Sequence, residues 1–309
     1  MNVQPLLALG RQLSGLAWVQ GPGGNLSVKL GQTLAVKASG TRLGDLDAPR
    51  ALAYVPLREA YAALAGDPTA MRTLFEHTPR PSLETWLHAL PGRYVAHTHP
   101  LGVLLLACSR HRVPDGMADV PAALPGRDLA LAMQTGGHGD AWLLRNHGLV
   151  VRASSAQQAL RQTRAIDAAC RKRFGVKRSD VPRLPEIRGQ DVSGGHVLPL
   201  PSRAIAPPRY LFPDAVVLGA ETPVAALTTQ AAAEKLALDP RPGVLVAPDG
   251  QRWAVARNRD QLRDVVEVVT AHDWLLARLG AAAVPLPQGM TSAILAMPAE
   301  RFRQLGVAG

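Results

Sequence analysis

Aromatic residues are scarce in this sequence. They account for 4% of its 309 residues, whereas all hydrophobic types together reach 47% and charged residues 19%. A chain so rich in apolar residues is expected to fold around a sizeable core and not to be globally disordered. Because aromatic rings are few, aliphatic residues and Ala must build most of that core. The length permits one large domain, or a main domain with a smaller appendage.

Cysteine and long apolar runs are also nearly absent. Cys108 and Cys170 lack CxxC spacing and stand in apolar or helical contexts, which indicates buried, reduced thiols. No stretch reaches 18 uninterrupted apolar residues, and residues 1–20 have neither the basic start nor the unbroken apolar centre of a signal peptide. We therefore expect a cytoplasmic protein without a membrane span.

Lysine is rare, so the positive charge comes almost entirely from arginine. The formal net charge is +10, and only five of the 34 basic residues are Lys. The Arg residues are spread along the chain, and no run alternates basic with aromatic residues, as nucleic-acid-binding segments often do. A solvated basic surface and a GC-rich coding bias explain this charge better than nucleic-acid binding. The charge also favours an anionic small-molecule substrate.

The pair His97 and His99 is the central chemical feature. Residues 94–98 predict a strand, on which residues i and i+2 face the same way, so both imidazoles can bind one ion. His147, in a turn between two predicted strands, can reach in from a neighbouring strand. Three His ligands with one open position are typical of a catalytic metal site. Surface or core histidines are the alternative for an HxH pair, and His138, in a Gly-rich loop, could also lie near the site.

Glu84 and two turns of small residues are further candidates. Glu84 stands near the start of a helix predicted over residues 82–90, where it is either a capping residue or a base beside a metal-bound carbonyl. The turns Gly23-Gly24-Asn25 and Ser39-Gly40-Thr41 offer backbone N–H groups that could cradle an anion, although ordinary turns have the same composition. The sequence has no P-loop, no GxGxxG motif and no Ser/His/Asp order.

The order of local patterns suggests more than one unit. Residues 141–173 and 244–279 both predict strand, turn, strand and helix, which is either a partial internal repeat that extends the sheet or simply a common unit. Residues 176–209 between them are rich in Pro, Gly and Arg and form the best candidate for a linker.

Eight segments carry a resemblance to a known family. They are, in chain order, GGNLSVKL, VKASGTRLGDL, RPSLETWLHAL, YVAHTHP, PGRDLA, LRNHGLVV, LFPDAVVLG and AERFRQLG. This order resembles the class II aldolase/adducin family, and within it the aldolase portion of bacterial rhamnulose-phosphate aldolase/alcohol dehydrogenase proteins. The resemblance implies a three-layer α/β/α fold with a central, mainly antiparallel sheet. It implies a catalytic domain over residues 1–175, followed by the 176–209 linker and a C-terminal α/β extension over residues 210–309.

The resemblance also assigns residues and an assembly. It implies that His97, His99 and His147 bind a divalent metal ion, zinc with manganese or cobalt as alternatives, and that Glu84 is catalytic. The positions that match the family's phosphate-binding residues are Asn25, Ser39, Gly40 and Ser82. Leu83 stands where many members have a second Ser, and the Tyr that serves some sugar-phosphate aldolases is not recognisable, so no proton donor is assigned. The family commonly forms homotetramers with sites between subunits.

The implied function is cleavage of a carbon–carbon bond through a metal-stabilised enediolate. The substrate would be a ketose phosphate or a related hydroxy-keto compound, phosphorylated or carboxylated. Decarboxylation, epimerisation or dehydration on the same metal site is an alternative. A non-catalytic, adducin-like binding module is another, although the adducin branch has lost the metal ligands that this chain keeps.

Overall fold

The chain folds into two compact units. The computed structural model describes residues 2–137, 139–203 and 209–298, so His138 and the segment AERFRQLG lie outside the described residues. The first unit comprises residues 2–181 together with Ala281–Val284, and the second comprises Pro182–Gly280 together with residues 285–298. No helix in the described part of the chain is both long and apolar enough to cross a membrane.

The first unit is built on a seven-stranded sheet. Its helices and strands are α1 (Gln4–Gln12), β1 (Asn25–Leu30), β2 (Thr33–Lys37), β3 (Leu52–Pro56), α2 (Leu57–Ala65), α3 (Pro68–Thr73), α4 (Thr85–His88), β4 (Tyr94–Thr98), α5 (Leu101–Ala107), β5 (Ala118–Val120), α6 (Arg127–Thr135), β6 (Ala141–Leu144), β7 (Gly148–Ala153) and α7 (Ala156–Arg173). The strand order is β3-β2-β1-β4-β7-β6-β5. All pairs are antiparallel except β5 with β6.

Helices cover both faces of this sheet, because alternate residues of its strands are apolar in both directions. On one face, side chains such as Val36 and Val150 pack with α2, α3, α4 and α6. On the other face, side chains such as Leu26 and Val151 pack with α1, α5 and α7. The predicted three-layer fold with a mainly antiparallel sheet is confirmed.

The second unit supplies the predicted C-terminal α/β extension. Its helices and strands are β8 (Gln190–Val192), β9 (Gly195–Leu200), α8 (Pro213–Leu218), β10 (Glu221–Pro223), α9 (Thr229–Leu238), β11 (Gly243–Val246), β12 (Arg252–Ala256), α10 (Arg259–Leu279) and α11 (Met290–Ala296). The strands form a separate sheet in the order β10-β11-β12-β9-β8. Helix α10 packs on one face of this sheet and α9 on the other.

Three local expectations differ from the structure. Strands β11 and β12 lie in the second sheet, so the repeat of strand, turn, strand and helix does not extend the first one. Residues 176–209, expected as a linker, contain β8 and β9, because Gly194 with φ of 82° turns the chain into a hairpin. The helix expected over residues 82–90 is shorter and begins at Thr85. Ser82 instead lies in the extended segment before the helix, where its N–H donates to the carbonyl of Lys37 at 3.1 Å.

Candidate metal centre

His97 and His99 stand at the end of β4, in the middle of the sheet. The i, i+2 spacing places both rings on one face, and the two Nε2 atoms lie 3.0 Å apart. The His97 Nδ1–H donates to the backbone carbonyl of Leu149 on β7 at 3.0 Å. This bond fixes the tautomer of His97 and turns its Nε2 lone pair toward His99. His97 is fully buried and His99 nearly so.

The backbone of His99 is held from the loop that precedes β1. Its N–H donates to the carbonyl of Trp18 at 2.9 Å, and its carbonyl accepts the side-chain amide of Gln20 at 3.2 Å. Gln20 is fully buried and also donates to the carbonyl of Leu16. The second histidine therefore keeps a defined orientation although it lies just past the last strand residue, Thr98.

His147 enters the cluster from the tight turn between β6 and β7. Asn146 precedes it with φ of 56°, a left-handed conformation that Asn tolerates better than most residues. Gly148 follows it at a point where β7 runs against β4. A Cβ atom there would lie 2.5 Å from the carbonyl oxygen of Thr98 and 2.8 Å from the ring of His99. The sequence Asn-His-Gly thus fits the backbone that aims this side chain at the other two.

The three rings form a cluster that can hold a metal ion. One ring nitrogen of each of His97, His99 and His147 lies within 4.8 Å of the others, and all three residues are buried. Two nitrogen ligands on one tetrahedral zinc ion stand about 3.3 Å apart. The 3.0 Å between the Nε2 atoms of His97 and His99 is close to that value. The donor set, three imidazoles, suits zinc, copper, iron and nickel better than calcium or magnesium.

Glu84 completes the cluster with a negative charge. Its Oε1 lies 2.9 Å from Nε2 of His147 and 3.4 Å from Nε2 of His97, and its side chain is 14% exposed. Burial alone would raise the pKa of the Glu84 carboxyl, but His97 and the hydrogen bond from His147 hold that pKa well below its usual range. The carboxylate is therefore ionised, and a buried anion beside three imidazole rings favours a cation at this place.

Asn25 lies directly across from His97. The two residues are partners in the antiparallel register of β1 and β4, so both side chains lie on the same face of the sheet. Asn25 is fully buried, yet neither its Oδ1 nor its Nδ2 has a hydrogen-bond partner among the described residues. A buried amide without partners is costly, and this one stands next to the metal cluster. Asn25 is thus available to a ligand.

The turns around Gly24 and Gly40 are joined by one buried lysine. The Lys37 Nζ donates to the carbonyl of Pro22 at 2.9 Å and to the carbonyl of Thr41 at 2.7 Å, and the residue is 2% exposed. It therefore ties the turn before β1 to the turn after β2. A lysine at the end of a largely apolar strand marks a buried charge in the sequence, but it does not show which carbonyls accept its hydrogen bonds.

Ser39 and Ser82 lie on segments that run side by side. The Ser39 N–H donates to the carbonyl of Arg80 at 2.9 Å, and Ala38 and Pro81 form an isolated β-bridge. The N–H of Ser39 is thereby engaged within the protein, next to this bridge. The Ser82 Oγ accepts the N–H of Glu84 at 3.3 Å. Ser82 thus connects this segment to the metal cluster.

His88 is a buried neighbour of the cluster. Its Nδ1 lies 2.7 Å from Ser27 Oγ, and burial, reinforced by His97, lowers the pKa of His88 to about 3. The folded protein therefore keeps this ring neutral, whereas the unfolded chain protonates it below about pH 6.5. Because the pKa of His88 is lower in the folded protein than in the unfolded chain, the free energy of unfolding decreases as the pH falls from about 6.5 toward 3.

Residues 4–174 match the sequence family described as "Class II Aldolase and Adducin N-terminal domain". The chain belongs to this family. The match contains both histidine positions of β4, the turn with His147, and Glu84. The second unit, from Pro182 on, lies outside it.

Individual relatives are distant. An oxidoreductase of uncharacterised activity from Bacillus subtilis (strain 168), YuxG, is 27% identical over 169 residues, which are 51% of this chain and 23% of the relative. This chain thus spans about a quarter of that relative's length. The N-terminal class II aldolase domain of a conserved Thermoplasma acidophilum protein is 24% identical, with a TM-score of 0.48 over 56% of this chain and 94% of that one. YgbL from Klebsiella pneumoniae, a candidate aldolase/epimerase/decarboxylase, is 24% identical, with a TM-score of 0.45 over 59% and 92%.

We expect Lys37→Met to loosen both turns together. The substitution leaves the carbonyls of Pro22 and Thr41 without their charged donor, at a cost on the order of 1–3 kcal/mol. Hydrogen exchange should rise in residues 21–25 and also in residues 39–41. Lys29→Met is the matched control, because Lys29 likewise donates to two carbonyls, those of Leu90 and Gly92. Faster exchange confined to one of the two turns, or equal in both variants, would contradict the bridging role.

Proposed function

We propose that this protein is a metal-dependent carbon–carbon lyase. Its substrate would be a ketose phosphate or a related hydroxy-keto compound with a phosphate or carboxylate group. The observation that supports the proposal is the convergence of His97, His99 and His147 with the Oε1 atom of Glu84. Three neutral ligands leave the ion its positive charge, and they leave a position open for substrate.

The proposed roles follow from the position of each group. His97, His99 and His147 would bind the ion, zinc with manganese or cobalt as alternatives. When bound, the ion would polarise the substrate carbonyl and stabilise the enediolate that forms as the carbon–carbon bond breaks. Glu84, whose Oε1 lies 2.9 Å from Nε2 of His147, would accept a proton from a substrate hydroxyl and return it to carbon.

The anionic end of the substrate would be bound by residues beside the cluster. Asn25 offers an amide that has no partner among the described residues, and it faces the same side of the sheet as His97. Ser39, Gly40 and Ser82 lie on the two paired segments next to Glu84. The net charge of +10 would attract such an anion to the protein.

Two other functions are alternatives to carbon–carbon cleavage at this site. Decarboxylation, epimerisation and dehydration all pass through a comparable enediolate or enolate, so they need the same ion and the same base. A non-catalytic binding module would need neither, and the buried carboxylate among three histidines argues against it. Incubation of the metal-loaded protein with a panel of ketose phosphates and hydroxy-keto acids, with product analysis, separates these cases. We expect products of carbon–carbon cleavage. If the protein binds no stoichiometric metal and gives no product with any member of the panel, it is not an enzyme of this type.

Glu84→Gln should retain the metal and lose most of the turnover. General acid–base groups contribute about 10²–10⁴-fold, and the amide cannot exchange a proton in this way. Elemental analysis and steady-state kinetics measure the two effects. Glu59→Gln is the matched control, since Glu59 also pairs with a histidine, His77, at 2.8 Å but lies outside the cluster. Near-normal turnover of Glu84→Gln would leave Glu84 with a structural role only.

Asn25→Leu should weaken substrate binding without destabilising the fold. The unpartnered amide is replaced by an apolar group of similar shape, a change that is neutral or stabilising for a buried site. We expect KM for a phosphorylated substrate to rise by about 10- to 100-fold, the value of one charged hydrogen bond. Ser27→Ala, two residues along the same face, should leave KM unchanged. If Asn25→Leu binds substrate normally, the anion is held elsewhere.

We expect the active form to be a homo-oligomer, a tetramer by family resemblance. No proton donor is assigned beside the three histidines, so a second copy would bring this group to the site from another part of the same sequence. Sedimentation at concentrations where the enzyme is active should give four times the 32.8 kDa chain mass. Full specific activity in a monomeric fraction would contradict a shared site.

A further inference from the structure

A short C-terminal segment contacts the turn that carries His147. Ala281–Val284 belongs to the first compact unit, although the residues before and after it belong to the second. The side-chain Nδ2 of Asn146 donates to the carbonyl of Val284 at 2.8 Å. Asn146 is the residue immediately before His147 and is 5% exposed. A stretch far along the chain thus reaches the backbone of a proposed metal ligand.

The same segment is anchored to the end of α5. The Val284 N–H donates to the carbonyl of Cys108 at 2.8 Å, and Ala283 forms an antiparallel bridge with Ser109. The N–H of Asn146 in turn donates to the carbonyl of Ala107 at 3.1 Å. The turn, the end of α5 and the segment Ala281–Val284 therefore form one hydrogen-bonded network.

His147 is the ligand that most needs such support. His97 lies within a central strand paired on both sides, and the backbone of His99 is held by Trp18 and Gln20. His147 lies in a turn, and its strand begins only at Gly148. Its own N–H bonds locally to the carbonyl of Leu144 at 3.1 Å. The left-handed residue before it, at φ of 56°, stores strain that an external bond must offset.

We propose that Ala281–Val284 is a positioning element for His147 and sets the metal affinity of the site. The inference rests on the proposed function, because it requires that His147 bind the ion. The carbonyl of Val284 holds the Asn146 amide, the turn keeps its left-handed residue, and the imidazole stays aimed at His97 and His99. A ligand held in place before binding loses less conformational freedom when the ion arrives. The segment lies outside the residues that match the family, 4–174, so the device belongs to this chain's C-terminal part.

Val284→Pro tests the positioning role of Ala281–Val284 by changing its contact with Cys108, which is not a proposed metal ligand. Proline removes the N–H donated to Cys108 but keeps the carbonyl that Asn146 needs, and Val284→Ala, which keeps both backbone bonds, is the matched control. The probe is Co²⁺, whose visible absorption reports both binding and ligand geometry. We expect the dissociation constant of Val284→Pro for Co²⁺ to rise by about 10- to 100-fold, the usual effect of losing a group that orients a ligand. Val284→Ala should bind Co²⁺ as the wild-type protein does.

Hydrogen exchange separates failure of this inference from failure of the proposed function. In protein without added metal, exchange of residues 145–148 should be faster in Val284→Pro than in Val284→Ala. Wild-type protein that binds no Co²⁺ would overturn the proposed metal site. Wild-type protein that binds Co²⁺, with unchanged affinity and spectrum in Val284→Pro, would overturn the positioning role.

A second variant, Asn146→Gly, tests the inference even if Val284→Pro does not fold. Asn146→Gly keeps the left-handed backbone accessible and removes only the side-chain amide. It should weaken Co²⁺ binding in the same direction. Because both changes cut one network, the double variant should bind Co²⁺ about as weakly as the weaker-binding single variant. Wild-type affinity in Asn146→Gly, or multiplication of the two effects in the double variant, would contradict the coupling.

Discussion

The antiparallel register of β1, β4 and β7 is the constraint on which the site depends. It places Asn25 opposite His97 on one side and Val150 opposite His97 on the other. The carbonyl of Leu149, next in β7, then meets Nδ1 of His97 and fixes the side of the ring that faces the cluster. A shift of one residue in this register would turn the histidines to the opposite face of the sheet, which packs against α1, α5 and α7. The ladder that stabilises the sheet therefore also selects the metal-binding face.

Electrostatics gives the cluster its preference for a cation. The buried Glu84 carboxylate lies beside three imidazoles whose ring nitrogens are within 4.8 Å of one another, and the hydrogen bond from His147 and the neighbouring His97 stabilise its charge. A divalent ion would replace those weak positive partners by a full charge. In the proposed mechanism the same carboxylate would serve both as counter-charge to the ion and as base. One residue would thus link metal binding to proton transfer.

The sequence reveals some parts of this arrangement better than others. The i, i+2 spacing of His97 and His99 and the Asn-His-Gly turn predict ligands because strand alternation and turn chemistry are local properties. The fold class, by contrast, is implied by the resemblance of the ordered segments to the class II aldolase/adducin family. Gln20 and Lys37 could not be assigned, since each donates to backbone carbonyls, and a carbonyl is present at every residue and leaves no mark in the sequence. The strands β8 and β9 were missed because Pro and Gly dominate residues 176–209, although the hairpin needs only one left-handed glycine.

The three histidines are held by constraints of different range. His97 depends on neighbours in the sheet, His99 on a loop some 80 residues earlier, and the turn of His147 on a bond to Val284, 138 residues later. Even the shortest-range of these bonds, between His97 and Leu149, spans 52 residues, so each requires that the intervening chain fold as well. Metal binding would require all three histidines to be in place. The ion would therefore stabilise the hydrogen bonds made by Gln20, Leu149 and Val284, which lie far apart along the chain. On this proposal the C-terminal part would affect the chemistry of the site without contributing a ligand, through the backbone of a single turn.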